Sequence, residues 1–233
     1  MTRRFQPQDP LVLVLLGPPG VGKGTQGRLL ADAEGIPLLS TGDILRGAVR
    51  EGTPLGRQAQ DFMRAGELVP DQLIDDMMAD RLSQSDAARG FILDGYPRTV
   101  AQVQALDGGL GAAGRPLSLA VLFEVDDEEV VRRLAGRRSC TGCGRAYHVE
   151  FDPPRERDRC DGDSEPLVRR DDDRPETILH RLDVYRCETE PVATCFRDRG
   201  QLAAIDALGE PGDIHERLRE ALTASRFSGA RAA

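Results

Sequence analysis

The sequence predicts an α/β fold, a parallel sheet wrapped by helices on both faces, and three observations carry that prediction. Short apolar runs, Leu11–Leu16, Phe91–Leu93 and, broken only by Glu124, Leu119–Val125, are bounded by turn residues, as strands buried on both faces are. Longer stretches with helical spacing lie between them, so strands and helices alternate along the chain. The first apolar run also ends in a glycine-rich turn that leads straight into a helical stretch.

Taken in order, Met1–Pro10 is polar, carries two prolines and reads as a loose arm. Leu11–Leu16 is the first strand, Thr25–Glu34 the first helix, and Ile36–Leu39 a short second strand ending in Ser40-Thr41-Gly42-Asp43. Asp43 suits the N-cap of a helix over Ile44–Arg50. Glu51–Val69 reads as small polar helices broken by Gly and Pro, and Asp71–Ser83 as an amphipathic helix after Pro70. The strand Phe91–Leu93 stops at Asp94-Gly95-Tyr96-Pro97, and Leu119–Val125 leads into a helix over Glu128–Leu134. At Gly136 the composition changes: as far as Asp173 the chain is dense in Cys, Arg, Asp, Gly and Pro with almost no helical period, which marks a separate small lobe. A long helix from Pro175 to about Arg197, a strand over Leu202–Ile205 and a helix over Asp213–Ala224 follow, with Ser225–Ala233 expected to fray.

At 233 residues the chain fits one sizeable domain or one domain carrying inserted lobes. Its net charge of -8 argues against nonspecific nucleic-acid binding, which draws on basic groups neutralising phosphates. The apolar run Leu11–Leu16 is far shorter than the ~20 residues of a membrane span and shorter than a secretory h-region, so a cytoplasmic protein with no membrane partner is expected. An odd count of 5 Cys makes a disulfide framework a poor reading. With no Trp and 4% aromatics, there is little material for base-stacking platforms. The 31 basic residues divide unevenly: all are Arg except Lys23.

That lysine lies in Gly17-Pro18-Pro19-Gly20-Val21-Gly22-Lys23-Gly24-Thr25, between the first strand and the first helix. This is a P-loop arrangement. Glycines let successive backbone N–H groups point at phosphate oxygens, the helix N-terminus adds partial positive charge, and the lysine reaches the β and γ phosphates. Gly24 stands where the usual pattern has a hydroxyl, and Thr25 follows one residue later. Arg serves at every other cationic position, and a compact ammonium differs from a planar fork where one charge must sit among backbone N–H groups.

Four segments make the chain similar to the adenylate kinase family from about Leu11 to Leu222. They are Gly17–Thr25, Ser40-Thr41-Gly42-Asp43-Ile44-Leu45-Arg46, Phe91-Ile92-Leu93-Asp94-Gly95-Tyr96-Pro97-Arg98-Thr99, and the Arg- and Asp-rich segments around Arg137 and Asp172. The resemblance implies a P-loop kinase core that converts Mg·ATP and AMP into two ADP, in a monomer. It implies a core over 11–39, 70–135 and 174–224, an AMP-binding lobe over 40–69 and a lid over 136–173, with flexible termini at 1–10 and 225–233. ATP would meet Gly20, Val21, Gly22, Lys23, Gly24, Thr25, Arg133, Arg137, Ala146, Tyr147 and Gly209. AMP would meet Thr41, Arg46, Glu67, Leu68, Val69, Gly95, Tyr96, Pro97, Arg98 and Gln102, with Arg170 and Arg181 coming down over the transferring group. Arg169 competes for the Arg170 role; Arg170 keeps the family spacing to Arg181. Lys23, Arg98, Arg137, Arg170 and Arg181 would carry catalysis, and Asp94 would hold Mg²⁺ through water. Asp43 could assist the Mg²⁺ or simply cap its helix.

Phosphoryl transfer fits this assignment, because it asks for positioning and charge neutralisation and an acidic chain must concentrate its cations to provide them. Rival readings are a kinase for another monophosphate, such as UMP or CMP, and a nucleotide-responsive binding module.

In the small lobe, Cys140-Thr-Gly-Cys143 and Cys160-Asp-Gly-Asp163 are two x₂ knuckles at the separation of a structural Zn²⁺ site. Cys140, Cys143 and Cys160 with Asp163 would close a tetrahedron; His148 is the rival fourth ligand. Cys187 and Cys195 fit buried small hydrophobes on the long helix.

Overall fold

The computed structural model describes residues 10–230, with side chains through 225. The expected N-terminal arm falls almost wholly outside these residues. Five parallel strands form the main sheet: β1 (Leu11–Leu16), β2 (Leu38–Ser40), β3 (Gly90–Asp94), β4 (Leu119–Glu124) and, last in this sheet, the strand Leu202–Asp206. Their spatial order places β1 at the centre, with β3 then β2 on one side and β4 then Leu202–Asp206 on the other. β1 is buried along its whole length because its residues alternate between two cores. Val12, Val14 and Leu16 pack with Ile74, Met78, Val103, Leu106 and Phe196. Leu11, Leu13 and Leu15 pack with Leu30, Ile214 and Leu218. A continuous apolar run is what a strand covered on both faces requires.

The helices follow from their end signals. α1 (Lys23–Glu34) starts two residues earlier than expected, because Gly22 in the left-handed region acts as its N-cap. α2 (Thr41–Arg50) is capped by Ser40, whose hydroxyl accepts the Asp43 N–H at 3.3 Å; Asp43 is therefore inside the first turn and is not the cap. The broken helices expected over Glu51–Val69 are one helix, α3 (Pro54–Ala65). Its Gly and Pro signals mark the ends: Thr53 caps it, Pro54 opens it and Gly66 closes it. α4 (Asp71–Leu82) matches the expectation. α5 (Val100–Ala112) has no counterpart in the sequence reading; Gly108, Gly109 and Gly111 weaken its helix signal, and burial of Val103, Leu106 and Leu110 overrides that.

After α6 (Asp127–Gly136), the small lobe is a three-stranded antiparallel sheet of β5 (Arg137–Cys140), β6 (Ala146–His148) and β7 (Leu167–Val168), with β5 central. The strand Leu202–Asp206 is thus β8. The long helix is present as α7 (Pro175–Val184), a π turn over Tyr185–Thr189 and α8 (Glu190–Asp198). Pro191 lacks an N–H and would press on the carbonyl four residues back, and the wider turn, closed by Glu190 N–H on the Tyr185 carbonyl, lets the helix pass it. α9 (Pro211–Ala230) extends through most of the segment expected to fray.

α2 and α3 cross so closely that a Cβ on Gly56 would lie 2.1 Å from the Ala48 carbonyl oxygen, whereas one on Gly47 meets nothing within 4 Å. Gly56→Ala is expected to lower unfolding free energy by about 2 kcal/mol or more. Gly47→Ala, inside α2, should raise it by up to about 1 kcal/mol; urea unfolding of the two variants beside the parent checks both signs.

Candidate functional site

Ligands of open α/β sheets bind beyond the carboxyl ends of the strands. Register brings Leu15, Asp94 and Ser40 side by side there, so the loop after β1, the acid ending β3 and the cap of α2 share one rim. Above the rim is a cavity of about 750 Å³, within the roughly 300–1,000 Å³ usual for ligand sites. It reaches from the loop to the small lobe and to the α2–α3 lobe.

The loop takes its shape from two close approaches. A Cβ on Gly17, at φ +138, would lie 2.6 Å from the Phe123 carbonyl oxygen, and one on Gly20, at φ +82, would lie 2.6 Å from Leu134. Lys23 Nζ donates to the carbonyls of Gly17 at 2.7 Å and Pro18 at 2.8 Å. Burial pushes the ammonium down to about 8; Asp94 opposes that shift, and Arg98, Arg181 and Arg137 add to it. Asp94 lies close to the loop: a Cβ on Gly24 would come 3.3 Å from its Oδ2. A larger residue at 24 would crowd that carboxylate.

Arg46, Arg98, Arg137, Arg170 and Arg181 line the same cavity as Lys23. Each guanidinium is aimed by a specific partner. Arg46 bonds Asp43 at 2.6 Å, Arg98 Nε bonds the Gly95 carbonyl at 2.8 Å, and Arg170 Nε bonds the Ser139 hydroxyl at 2.6 Å. Arg137 forks onto Asp173 at 2.7 and 2.5 Å, while Arg181 reaches Asp172 at 2.8 Å and Asp173 at 3.1 Å. Burial and the neighbouring Arg137 and Arg46 pull Arg170 down to about 9, and burial with Arg181 lowers Arg98. Burial resists the charge of Asp172, but Arg181 and Arg137 outweigh it and hold its carboxyl below the usual range. The arrangement is a set of crowded cations whose repulsion an anionic ligand would relieve.

Arg133 is pinned beside the loop by Glu129 at 2.7 Å and by the carbonyls of Val21 and Ala207, both at 3.0 Å. Gly22, Thr25, Leu68, Gly95, Pro97, Ala146, Tyr147 and Gly209 also line the cavity. Others of the expected set do not. Val69 and Tyr96 are buried, the Tyr96 hydroxyl donating to Asp75 at 2.8 Å, and Thr41 spends its hydroxyl on the Gly95 carbonyl at 2.9 Å. Glu67 pairs with His180 at 2.6 Å. Gln102 is turned inward: its oxygen accepts the Arg98 N–H at 2.7 Å and its amide donates to Asp71 at 2.7 Å. Arg169 does not line the cavity, whereas Arg170 does.

Asp173 has no part in the sequence reading as a site residue, yet it is fully buried and anchors two of the cavity's arginines. The available signal was the acidic run Asp171–Asp173 directly after Arg170, since a buried acid needs a cation. Gln26 was likewise passed over. It joins α1 to α9, donating to the Pro211 carbonyl at 2.8 Å and bonding His215 at 3.2 Å.

In the small lobe, ligand atoms of Cys140, Cys143, Cys160 and Asp163 all lie within 4.8 Å of one another. The sulfurs of Cys140 and Cys160 accept the N–H groups of Gly142 at 3.3 Å and Gly162 at 3.4 Å, and Asp163 accepts the Cys143 N–H at 3.0 Å. His148 is not part of this cluster. Its ring stacks on Phe151 at 4.3 Å, and its Nδ1 accepts the N–H groups of Glu150 and Phe151, both at 3.1 Å. Cys187 is exposed and Cys195 only half-buried, against the expectation of buried positions.

The chain matches the family described as adenylate kinase over residues 15–201. It is 50% identical to an adenylate kinase of Anaeromyxobacter sp. (strain Fw109-5) over 204 residues, 88% of this chain and 95% of that protein. It is also 50% identical to one of Salinispora tropica over 210 residues, 90% and 97% of the two chains. An adenylate kinase of Geobacter sp. (strain M21) is 49% identical over 211 residues, 89% and 99% of the two.

Removing the carboxylate shared by Arg137 and Arg181 leaves Arg137 without its carboxylate partner, while Arg181 keeps Asp172. Asp173→Ala is expected to cost about 3 kcal/mol or more of stability. Asp171→Ala, which loses only a 3.6 Å contact with Arg174, should stay within about 0.5 kcal/mol; denaturant titration separates the two.

Proposed function

The chain belongs to the adenylate kinase family, and on that premise we propose how its residues divide the work of moving a phosphoryl group from ATP to AMP. It is an ATP:AMP phosphotransferase that makes two ADP from Mg·ATP and AMP. The observation that carries the residue assignment is the convergence of Lys23 with Arg46, Arg98, Arg137, Arg170 and Arg181 in one cavity of a chain whose net charge is -8.

ATP is read as lying over the loop after β1, its phosphates on the Gly20–Thr25 backbone and its base between Arg133 and Gly209. Lys23 would leave the Gly17 and Pro18 carbonyls for the β and γ phosphates. AMP is read as lying toward Leu68 and Gly95, with Arg46 and Arg98 forking its phosphate, the geometry that planar guanidinium offers a phosphate. Arg137, Arg170 and Arg181 would share the charge that spreads over the transferring group's oxygens. The chemistry of Asp94, a carboxylate beside the loop among cations, fits a water-mediated hold on the nucleotide's Mg²⁺, which when bound neutralises phosphate charge. On this reading 40–69 is the AMP-binding lobe, 136–173 a lid that excludes water, and the rest the core. Gln102 would have to release Asp71 to reach an adenine edge, so the base selectivity of the acceptor site depends on that exchange.

The three thiols and Asp163 match the donor set of a structural Zn²⁺, and backbone N–H groups point at the Cys140 and Cys160 sulfurs. The metal would stand in for the core of a lobe whose buried cluster is only Cys140, Tyr147, Cys160 and Leu167. A set of clustered thiols suits a reducing compartment, hence the cytoplasm. The working form is read as a monomer, as the likeness to the adenylate kinase family implies.

Two measurements test this. In a coupled assay, Lys23→Arg should lose about a hundredfold or more in kcat, as removal of one preorganised transition-state donor does; near-parental turnover would overturn the assignment. AMP should exceed CMP, UMP and GMP as acceptor in the same assay. Chain purified without chelator should carry one Zn²⁺ per molecule by elemental analysis, and Cys143→Ala should lose it along with thermal stability. Metal-free parent of equal stability would remove zinc from the account.

A further inference from the structure

We propose that Lys23 is also a site of covalent modification, acylated by small acyl phosphates, the mixed anhydrides of a carboxylic acid and phosphoric acid. The proposal rests on the reading of the cavity as a phosphate site and adds to it a second class of ligand and a different outcome.

Three observations converge. Lys23 is the one lysine of the chain, and the thirty arginines that carry the remaining basic charge stay protonated and are not acyl acceptors. The cavity around it therefore separates two tasks. Arg98, Arg137 and Arg181 attract a phosphate without consuming an electrophile, and among the described residues Lys23 is the only amine within it. The third observation is the direction of the nitrogen. Nζ donates to the Gly17 and Pro18 carbonyls at 2.7 and 2.8 Å, which uses two of its hydrogens. In the ammonium the third hydrogen is left for a phosphate oxygen. In the neutral amine that same position is the lone pair, held away from both carbonyls.

The neutral form is accessible. Burial lowers the ammonium to about 8, with Arg98, Arg181 and Arg137 contributing and Asp94 the charged group that opposes them. In the step itself, the Nζ lone pair attacks the acyl carbon and a C–N bond forms. The C–O bond to phosphorus breaks, and orthophosphate leaves with that electron pair and takes up the proton that nitrogen loses. The product is an uncharged amide. It retains one N–H for two carbonyls and has no charge for the β and γ phosphates, so modified chain should be inactive.

The probe is acetyl phosphate applied to the full chain, followed by hydroxylamine to strip thioesters from the cysteines, then intact mass and peptide mapping. The expected result is one acetyl group on the peptide containing Lys23. It should form about tenfold or more faster than on a free peptide of the same loop sequence, as expected for an amine with a lowered pKa, even after its reduced intrinsic nucleophilicity is counted. A non-transferable ATP analogue should block it, and activity should fall in proportion to Lys23 occupancy. Lys23→Arg chain, with its fold checked by circular dichroism, should gain no side-chain acetyl group. Acetylation confined to the α-amino group, a Lys23 rate no greater than the peptide's, or no protection by the analogue would each overturn the proposal. Because labelling is read by mass, failure here leaves phosphotransfer standing, and a chain that labels at Lys23 but transfers no phosphoryl group before modification would count against the catalytic assignment alone.

Discussion

The cavity depends on how five arginines and a lysine are kept together in a partly dry space. Like charges there repel with little screening, and desolvation alone penalises each. Asp173 is the member that makes the arrangement possible. With no exposed surface, it takes the full fork of Arg137 and a bond from Arg181. Arg137 opens β5 and Arg181 lies in α7, so the same carboxylate ties the base of the small lobe to the long helix. An ion pair at this depth is poor evidence of net stability, since taking two charges from water costs nearly what their attraction returns. Its use here is positional: it determines where two cations stand before any ligand arrives.

Preorganisation of this kind suits phosphoryl transfer, which leaves the protein little covalent chemistry and much electrostatics. The groups are aimed by short bonds to neighbouring carbonyls, hydroxyls and carboxylates. Arg98 leans on a backbone carbonyl of its own loop, Arg170 on Ser139 and Arg133 on two carbonyls. Arg46 and Lys23 are held by partners they could exchange for phosphate.

Legibility in the sequence varies with the physics of each feature. β1 could be read to the residue, because a strand covered on both faces has no polar alternation to blur it. The loop after it was equally plain, since its glycines are demanded by backbone approach to Phe123 and Leu134. α3 and α5 were obscured for opposite reasons. In α3 the terminal Thr-Pro and Gly looked like interruptions, and in α5 glycines hid a helix that only tertiary burial supports. Asp173 and Gln102 mark the limit. Their roles depend on partners 36 and 31 residues away, and a local pattern such as the acidic run Asp171–Asp173 does not say which distant residue it pairs with.

At the lone lysine, composition and geometry answer to the same constraint. An arginine at 23 could supply the charge, but its nitrogens are spread over a planar fork whose hydrogens point in fixed directions. Nζ touches two successive carbonyls of one tight loop from a single atom and keeps its remaining direction for the cavity. That requires a point donor with three rotatable hydrogens on a flexible stem. Everywhere else in the site the cation meets a carboxylate, a hydroxyl or a carbonyl from the side, where a fork serves as well or better. The chain's preference for arginine therefore ends where tetrahedral geometry at one nitrogen is what the loop requires.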